Sequence, residues 1–303
     1  MPSRDRTNAI LLTVFASLIW GTSFPGVKWG LDYVGNDVLF LWLRFIIAST
    51  VTLSLVVYLG KFSFSVMKMP AIWIVGALNA TGFIFQYVGL TMTSASKTAL
   101  LVDINVIAVA IISYFVFTER LGRIQLGGVA IGMMGIFLVT TGGSLSLNSE
   151  QLVGDMLVYM SGWSWAFFIV LSKRLMSKHS AVEISSGAIA SCTVFLAPAV
   201  LCVYLSGADL SVDPQGWVAI VYLGILCTSA ATLLWAMGLE GISATASATI
   251  MLIEVITALV LSIGFLDESL GLAAGIGAAL VMASIYLVTA TGGPTERSSV
   301  KQI

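Results

Sequence analysis

Charged side chains are scarce in this sequence. Only 10% of its 303 residues are Asp, Glu, Lys or Arg, whereas 58% are hydrophobic. A soluble domain has about 25% charged residues. The shortage of charge excludes an ordinary soluble domain and indicates an integral membrane protein.

Histidine and cysteine are also rare, and their spacing indicates no chemistry of their own. The single histidine, His179, has no partner at metal-binding spacing. The three cysteines lie in apolar runs without paired spacing, which gives no disulfide framework or metal site. The sequence also lacks the Gly-x-Ser-x-Gly turn of serine hydrolases and a basic tract for nucleic acid. We therefore expect no metal or other cofactor, no nucleic-acid partner and no enzymatic activity.

Ten apolar segments follow one another along the chain. Segments of about 18 to 23 residues cross the ~30 Å hydrocarbon core of a bilayer as helices, because each residue adds 1.5 Å. The sequence therefore predicts an all-α polytopic membrane protein with ten transmembrane helices in the cell membrane. The predicted spans are 8–29, 38–59, 71–91, 97–117, 124–141, 154–172, 183–205, 216–238, 244–266 and 271–290.

The second half of the chain repeats the first. Segment 89–141 returns as 238–290 at a constant offset of 149 positions. Self-similarity at a fixed offset indicates a duplicated structural unit. We expect two five-helix units, residues 1–145 and 146–303. Identical pairs include Gly89 and Gly238, Ser113 and Ser262, Leu121 and Leu270, and Gly128 and Gly277.

Lysine and arginine are distributed unevenly between the two sides of these spans. Short cytoplasmic loops retain positive charge. With the N-terminus inside, one face collects eleven cations, whereas only Lys28 and Lys97 lie towards the other. Both termini are therefore expected in the cytoplasm. The eleven are Arg4, Arg6, Lys61, Lys68, Arg120, Arg123, Lys173, Arg174, Lys178, Arg297 and Lys301.

An odd number of helices per unit inverts the second unit in the membrane. The loop 119–123 is basic, whereas its repeat partner 267–271 is acidic, which agrees with loops on opposite sides. Inverted repeats around a midplane binding site are the architecture of secondary transporters.

An ordered set of short motifs runs through both halves, across about residues 9 to 291. They are Ile19-Trp20-Gly21-Thr22-Ser23-Phe24 with Lys28, Leu43-Arg44-Phe45, and the paired turns Glu119-Arg120-Leu121 and Glu268-Ser269-Leu270. This set resembles the EamA-type branch of the drug/metabolite transporter superfamily. The resemblance implies a ten-helix transporter of small organic metabolites, in many members an exporter of amino acids or related compounds.

The chain departs from the family at one position in each half. Family members often carry a proline thirteen residues before the loop glutamate, where this chain has Val106 and Val255. Valine leaves the backbone N–H in place, so a bend in the fourth or ninth helix needs another cause.

Ionisable residues inside the spans are candidates for substrate binding. Glu254 lies about ten residues from either end of the ninth span, where an unpaired carboxylate costs at least a few kcal/mol. Its repeat partner is Asn105, and Asp103 lies two residues earlier. The functional interpretation is contact with a substrate amine or carriage of a proton. The structural alternative is a protonated carboxyl group that joins helices.

A mixed stripe lies on the third helix. Asn79, Phe83 and Gln86 recur at i, i+4 and i+7 and so share one face. Such a stripe suits an amphipathic solute, and hydrogen bonding between helices is the alternative. The repeat partners on the eighth helix are Thr228, Thr232 and Trp235.

Tryptophan lies inside two spans instead of at their ends. Trp20 and Trp165 occupy equivalent positions at an offset of 145, away from the membrane interface where tryptophan is usual. With Trp163 and Phe24 they are candidates to line a cavity, and core packing is the alternative.

One cation and a set of glycines have structural interpretations. Arg44 is the one cation well inside the second span and has no repeat counterpart, so we expect a structural tie. The spacings Gly128 to Gly132 and Gly271 to Gly275 predict close helix contact, between repeats or between protomers.

Together these features predict a secondary transporter that exports amino acids or related amphipathic solutes by alternating access through a central cavity. Its partners would be a small-molecule substrate, protons as an alternative coupling ion, and lipid, with the protein a monomer or weak homo-oligomer. The alternatives are an importer or exchanger of nucleotide-like, sugar or organic-cation solutes, a channel, a structural membrane protein or a membrane enzyme.

Overall fold

Helices make up nearly all of the protein that the computed structural model describes, which is residues 3–92, 101–103, 105–117, 122–141, 152–266 and 272–291. The all-α prediction is confirmed. The helices are α1 (Ser3–Leu31), α2 (Asp37–Tyr58), α3 (Pro70–Met92), α4 (Asn105–Phe117), α5 (Arg123–Thr141), α6 (Leu152–Leu175), α7 (Ala181–Leu205), α8 (Pro214–Gly241), α9a (Ala244–Met251), α9b (Ile253–Leu266) and α10 (Leu272–Thr291), with a short helix at Phe64–Met67.

Length and composition let these helices cross a membrane. Within the described ranges, α1, α2, α3, α6, α7 and α8 are long and apolar enough to span a bilayer alone. Four shorter apolar helices accompany them, at Asn105–Phe117, Arg123–Leu138, Ala244–Thr257 and Gly275–Val288. Each of these ten helices overlaps one of the ten apolar segments predicted from the sequence.

Polar side chains set the starts of several helices. The Oδ1 of Asn36 accepts hydrogen bonds from the amides of Val38 at 2.9 Å and Leu39 at 3.2 Å, and so caps α2. Ser180 and Glu183 form a reciprocal capping box at the start of α7. These contacts satisfy amides that have no partner within their own helix.

Helices at equivalent places in the two halves make equivalent contacts. Helix α1 packs against α8 and α9, and α6 packs against α3 and α4. Helix α2 packs against its own counterpart α7, and α5 packs against its counterpart α10. Such reciprocal contacts are what a twofold relation between two units produces.

Glycines bring α5 and α10 close together. A Cβ added at Gly135 would lie 2.7 Å from the carbonyl oxygen of Gly277, so the two backbones touch there. At Gly128 an added Cβ would lie 2.9 Å from Val288, and Gly132 faces Ser284. The predicted close packing of small faces is confirmed, and it joins the two halves of one chain.

Different contacts join the loops at the two ends of the bundle. At the end where α1 finishes and α8 begins, the amide of Gly35 donates to Ser211 O at 3.0 Å, and that of Asp213 to Tyr33 O at 3.0 Å. At the other end, Lys173 Nζ donates to the carbonyl oxygens of Leu239 at 2.6 Å and Glu240 at 3.1 Å. Both ends are therefore held by hydrogen bonds that cross between helices.

The ninth helix is broken, and an equivalent turn precedes α4. Leu252 separates α9a from α9b, and Asp103 lies in a turn at the equivalent position, 149 residues earlier. Val106 and Val255 lie inside helices three residues beyond these turns. The interruption is therefore present although valine, which keeps its backbone N–H, occupies the position at which the family often has proline.

Candidate functional site

Arg44 is a buried cation held by neutral groups. Its side chain is 4% exposed, and its Nε donates to Oγ1 of Thr228 at 2.6 Å. Its guanidinium carbon lies 5.6 Å from the centre of the Phe83 ring, a distance at which a cation and an aromatic face attract. Among the described residues no carboxylate forms an ion pair with it. Arg44 therefore ties α2 to α3 and α8 without a counterion from these helices.

A widened stretch of α8 supplies the partner of Arg44. Residues Leu223–Ala230 form a π-helix, a form that appears mostly as single turns and often at functional sites. In this stretch Thr228 Oγ1 donates to Leu223 O at 3.0 Å. The carbonyl oxygen of Cys227 accepts from Trp20 Nε1 at 2.7 Å. The π-helix thus presents a hydroxyl group to α2 and a carbonyl oxygen to α1 from adjacent residues.

Two of the predicted aromatic residues meet across the halves. The rings of Phe83 in α3 and Trp165 in α6 lie 5.2 Å apart, nearly edge to face. A Cβ added at Gly82 would lie 2.6 Å from Trp165 Nε1, so the indole needs a glycine opposite it. Phe83 also contacts Phe45, at 5.2 Å. The Arg44 guanidinium and the Trp165 indole therefore share the Phe83 ring as a neighbour.

A second aromatic group surrounds Trp235. Its ring lies 6.1 Å from that of Trp20 and stacks on Phe168 at 5.5 Å. Its indole N–H donates to Ser247 Oγ at 3.0 Å, and only 1% of the residue is exposed. Neighbouring protein groups thus cover Trp235, and in this conformation it packs in the core beside Trp20.

The predicted acidic and amide residues lie where α4 and α9 are interrupted. Glu254 is the second residue of α9b and is half-buried. Asp103 is 3% exposed and Asn105 is 5% exposed. Asp103 Oδ2 and Asn105 Oδ1 have no hydrogen-bond partner among the described residues. The carboxyl groups of Asp103 and Glu254 lie close enough to interact electrostatically.

Helix α1 connects the acidic residues to the aromatic ones. A Cβ added at Gly21 would lie 2.7 Å from the carbonyl oxygen of Glu254, so α1 and α9b touch there. Trp20 precedes this glycine and bonds to Cys227 in α8. Helix α1 therefore contacts α9b at Glu254 and α8 at Cys227 through adjacent residues.

The remaining predicted residues lie in different surroundings. On α3, Asn79 is 8% exposed, and Gln86 is half-buried one turn beyond Phe83. Trp163 packs beside Tyr159 and Phe167, whose side chains are 41% and 46% exposed, and it is itself half-buried against the hydrophobic core. Its role in lining a cavity with Trp20 and Trp165 stays a prediction.

Some sequence-based interpretations fall on residues outside the described part of the chain. These are the side chains of Phe24 and Lys28, and the residues Lys97, Glu119, Arg120, Asp267, Glu268 and Gly271.

The role of Arg44 as a tie between helices was foreseen, but its partners were not. The one indication in the sequence was an intramembrane cation without a counterpart in the other half. Its contact with Thr228 joins residues 184 positions apart, and the π-helix that presents Thr228 has no counterpart in α3, which is α-helical throughout.

Known proteins resemble this chain along its whole length. An uncharacterized transporter of Archaeoglobus fulgidus is 26% identical over 286 residues, covering 92% of this chain and 96% of that protein. A probable amino-acid metabolite efflux pump of Salmonella typhimurium is 25% identical, covering 95% of each chain. A protein of Escherichia coli with the same description is 24% identical, again covering 95% of each.

A solved crystal structure shares the fold. It superposes with a TM-score of 0.80 at 20% sequence identity, covering 94% of this chain and 97% of that one. The family model described as EamA-like transporter family matches twice, at residues 7–141 and 152–290. This match confirms the predicted polytopic membrane fold. Because the two matches cover most of the sequence, the chain belongs to the EamA-like transporter family.

Proposed function

We propose that this protein is a secondary transporter that exports amino acids or related small amphipathic solutes from the cell by alternating access. The observation that carries the proposal is the meeting of ionisable and aromatic side chains from both halves at membrane depth. Ionisable groups there are costly, and they mark substrate or ion pathways in membrane proteins.

The groups at this junction match the parts of an amphipathic solute. The carboxyl groups of Glu254 and Asp103 are acceptors for an ammonium group or a proton. The rings of Phe83 and Trp165 offer an apolar surface for a side chain, and Trp20 borders the same region on α1. Binding sites for small solutes combine such apolar walls with a few placed polar groups.

Alternating access requires one end of the junction to open while the other stays closed. About two and a half turns before the end of α1, Thr22 Oγ1 and the Tyr222 hydroxyl share a hydrogen bond of 2.6 Å. The loop contacts of Gly35 with Ser211 close the same end. We infer that these bonds separate when the site opens there, while the Lys173 contacts at the other end stay in place.

The direction of transport is inferred from charge and from relatives. The excess of lysine and arginine on one face supports cytoplasmic termini in the cell membrane. Two of the full-length relatives are described as probable amino-acid metabolite efflux pumps, which supports amino-acid export here.

Counterflow exchange tests this proposal. Purified protein is reconstituted into vesicles loaded with one unlabelled amino acid at a time, and entry of the labelled form is measured. A carrier gives saturable exchange that exceeds that of protein-free vesicles. Flux that neither saturates nor exchanges would instead indicate a channel, and the absence of flux for every amino acid would contradict the proposed substrate class.

A further inference from the structure

Arg44 is buried without a counterion among the described residues, and such burial is costly. A guanidinium group in an apolar interior needs a partner of opposite charge or several hydrogen bonds. The described contacts give Arg44 one donated hydrogen bond, to Thr228, and the face of the Phe83 ring. Neither of these partners carries a negative charge.

Among the described residues, a single hydrogen bond uses a donor of this guanidinium group. Arginine has five N–H donors, and Thr228 takes the one on Nε. The donors left are those of the two terminal amino groups, which form the fork that binds a carboxylate through two parallel hydrogen bonds. The hydroxyl of Tyr87 also lies near the guanidinium group, but it forms no hydrogen bond of standard geometry among the described residues.

No acid of the described helices forms an ion pair with Arg44. Asp37, on the same helix, lies seven residues earlier, which is about two turns along α2. Glu254 and Asp103 lie near each other, beside the helix break at Leu252 and in the turn before α4. Neither forms an ion pair with Arg44. Within the described part of the chain, Arg44 therefore has no anionic partner, and a bound solute with a negative charge could serve as one.

The neighbours of Arg44 indicate what the rest of that anion is like. Phe83 lies close both to the guanidinium group, at 5.6 Å, and to the Trp165 ring, at 5.2 Å. Thr228 adjoins Cys227, whose carbonyl oxygen binds Trp20. A carboxylate on the arginine would therefore have aromatic surface within reach of its attached chain.

We propose that Arg44 binds the carboxylate of the transported solute, which narrows the substrate class to apolar carboxylates such as hydrophobic amino acids. This inference rests on the proposed transport function. Thr228 is the positioning residue. Its hydroxyl accepts the hydrogen bond from Arg44 Nε and so orients the guanidinium group, whose two terminal amino groups remain for the substrate carboxylate.

Matched ligands isolate the carboxylate. Binding of L-phenylalanine and L-leucine to purified protein is compared by calorimetry with binding of their amides, which keep the ammonium group and the side chain. Loss of a charge-assisted hydrogen-bonded pair weakens binding about 10- to 100-fold. The acids are therefore expected to bind about 10- to 100-fold more tightly than the amides.

Variants assign the preference to Arg44. In Arg44→Gln the ratio of acid to amide affinity falls to about one, and in Arg44→Lys it is intermediate, because lysine keeps the charge but lacks the fork. Arg123→Gln, which removes an exposed guanidinium group at the start of α5, leaves the ratio unchanged. Thr228→Val lowers the ratio without lowering the affinity for the amides.

Three results would overturn the inference, and each differs from failure of the proposed function. Equal affinity of the wild-type protein for acids and amides would mean that Arg44 does not recognise the carboxylate. An inorganic anion would then be the alternative partner of Arg44. An unchanged ratio in Arg44→Gln would leave the arginine a structural tie. If Arg44→Gln does not fold, an unchanged ratio in Thr228→Val decides in the same way. Absence of binding and counterflow for every amino acid would refute the proposed function itself.

Discussion

Replacing Glu254 by glutamine tests the acidic part of the site with little change of shape. Glu254 begins α9b beside the turn at Leu252, and its carboxyl group faces Asp103 closely enough for their charges to interact. Glutamine keeps the size of the side chain and one carbonyl oxygen, but it neither carries a negative charge nor takes up a proton.

The expected effects on transport and on stability have opposite signs. Removing one partner of a buried charge pair costs about 2–5 kcal/mol, so loss of an ammonium contact would slow transport about 30-fold or more. Stability should not fall, because an amide in an apolar interior has a smaller desolvation cost than a carboxylate. The midpoint of thermal unfolding is therefore expected to stay or to rise.

Counterflow in vesicles and thermal unfolding in detergent measure the two effects. The matched control is Asp213→Asn, which makes the same chemical change at an exposed residue whose side chain forms no helix cap. This control should transport at the wild-type rate. Full transport by the Glu254→Gln variant would exclude Glu254 from the mechanism, and a large fall in its unfolding midpoint would show that the residue joins helices instead.

Three further changes test the packing and the loops. Gly135→Leu should weaken the contact between α5 and α10 and lower the yield of folded protein in size-exclusion chromatography, because even a Cβ would lie 2.7 Å from a carbonyl oxygen; an unchanged profile would contradict the close contact. Trp20→Phe removes the 2.7 Å hydrogen bond to Cys227 O and should cost about 0.5–1.5 kcal/mol of unfolding free energy in chemical denaturation; no loss would contradict that bond. Hydrogen bonds from Ser211 lower the pKa of Asp209, so its stabilisation of the loop is present above the ordinary aspartate pKa and is lost as the pH falls through the lowered value. The protection of the amides in loop 206–213, measured relative to their intrinsic exchange rates, should therefore fall only in acid, and Asp209→Asn should remove that dependence; a dependence that the variant retains would contradict this cause.

The helices could be predicted from the sequence because each depends on local information. A long apolar run must form a helix in hydrocarbon, since every backbone group needs an internal partner. The constant offset between the halves likewise allowed equivalent residues to be paired before their contacts were known, as for Trp20 and Trp165. The glycines of α5 were predicted to mark a contact for the same reason, since small residues let helices approach.

The details of the site depended on contacts between distant residues. The sequence around Thr228 has no local feature that distinguishes a π-helix from an α-helix. This π-helix places Thr228, in the second half of the chain, in hydrogen-bonding distance of Arg44 in the first half. The turn at Leu252 also could not be predicted, because neither proline nor glycine lies beside it in the sequence.

The orientation of the two halves is the central claim, and site-directed labelling tests it most directly. Single cysteines are introduced at positions 120 and 267, two loops that lie outside the described residues, after Cys192, Cys202 and Cys227 have been replaced. A membrane-impermeant maleimide is then applied to intact cells and to inverted vesicles. The account predicts that position 267 reacts only in cells and position 120 only in inverted vesicles. Reaction of both positions from the same side would contradict it.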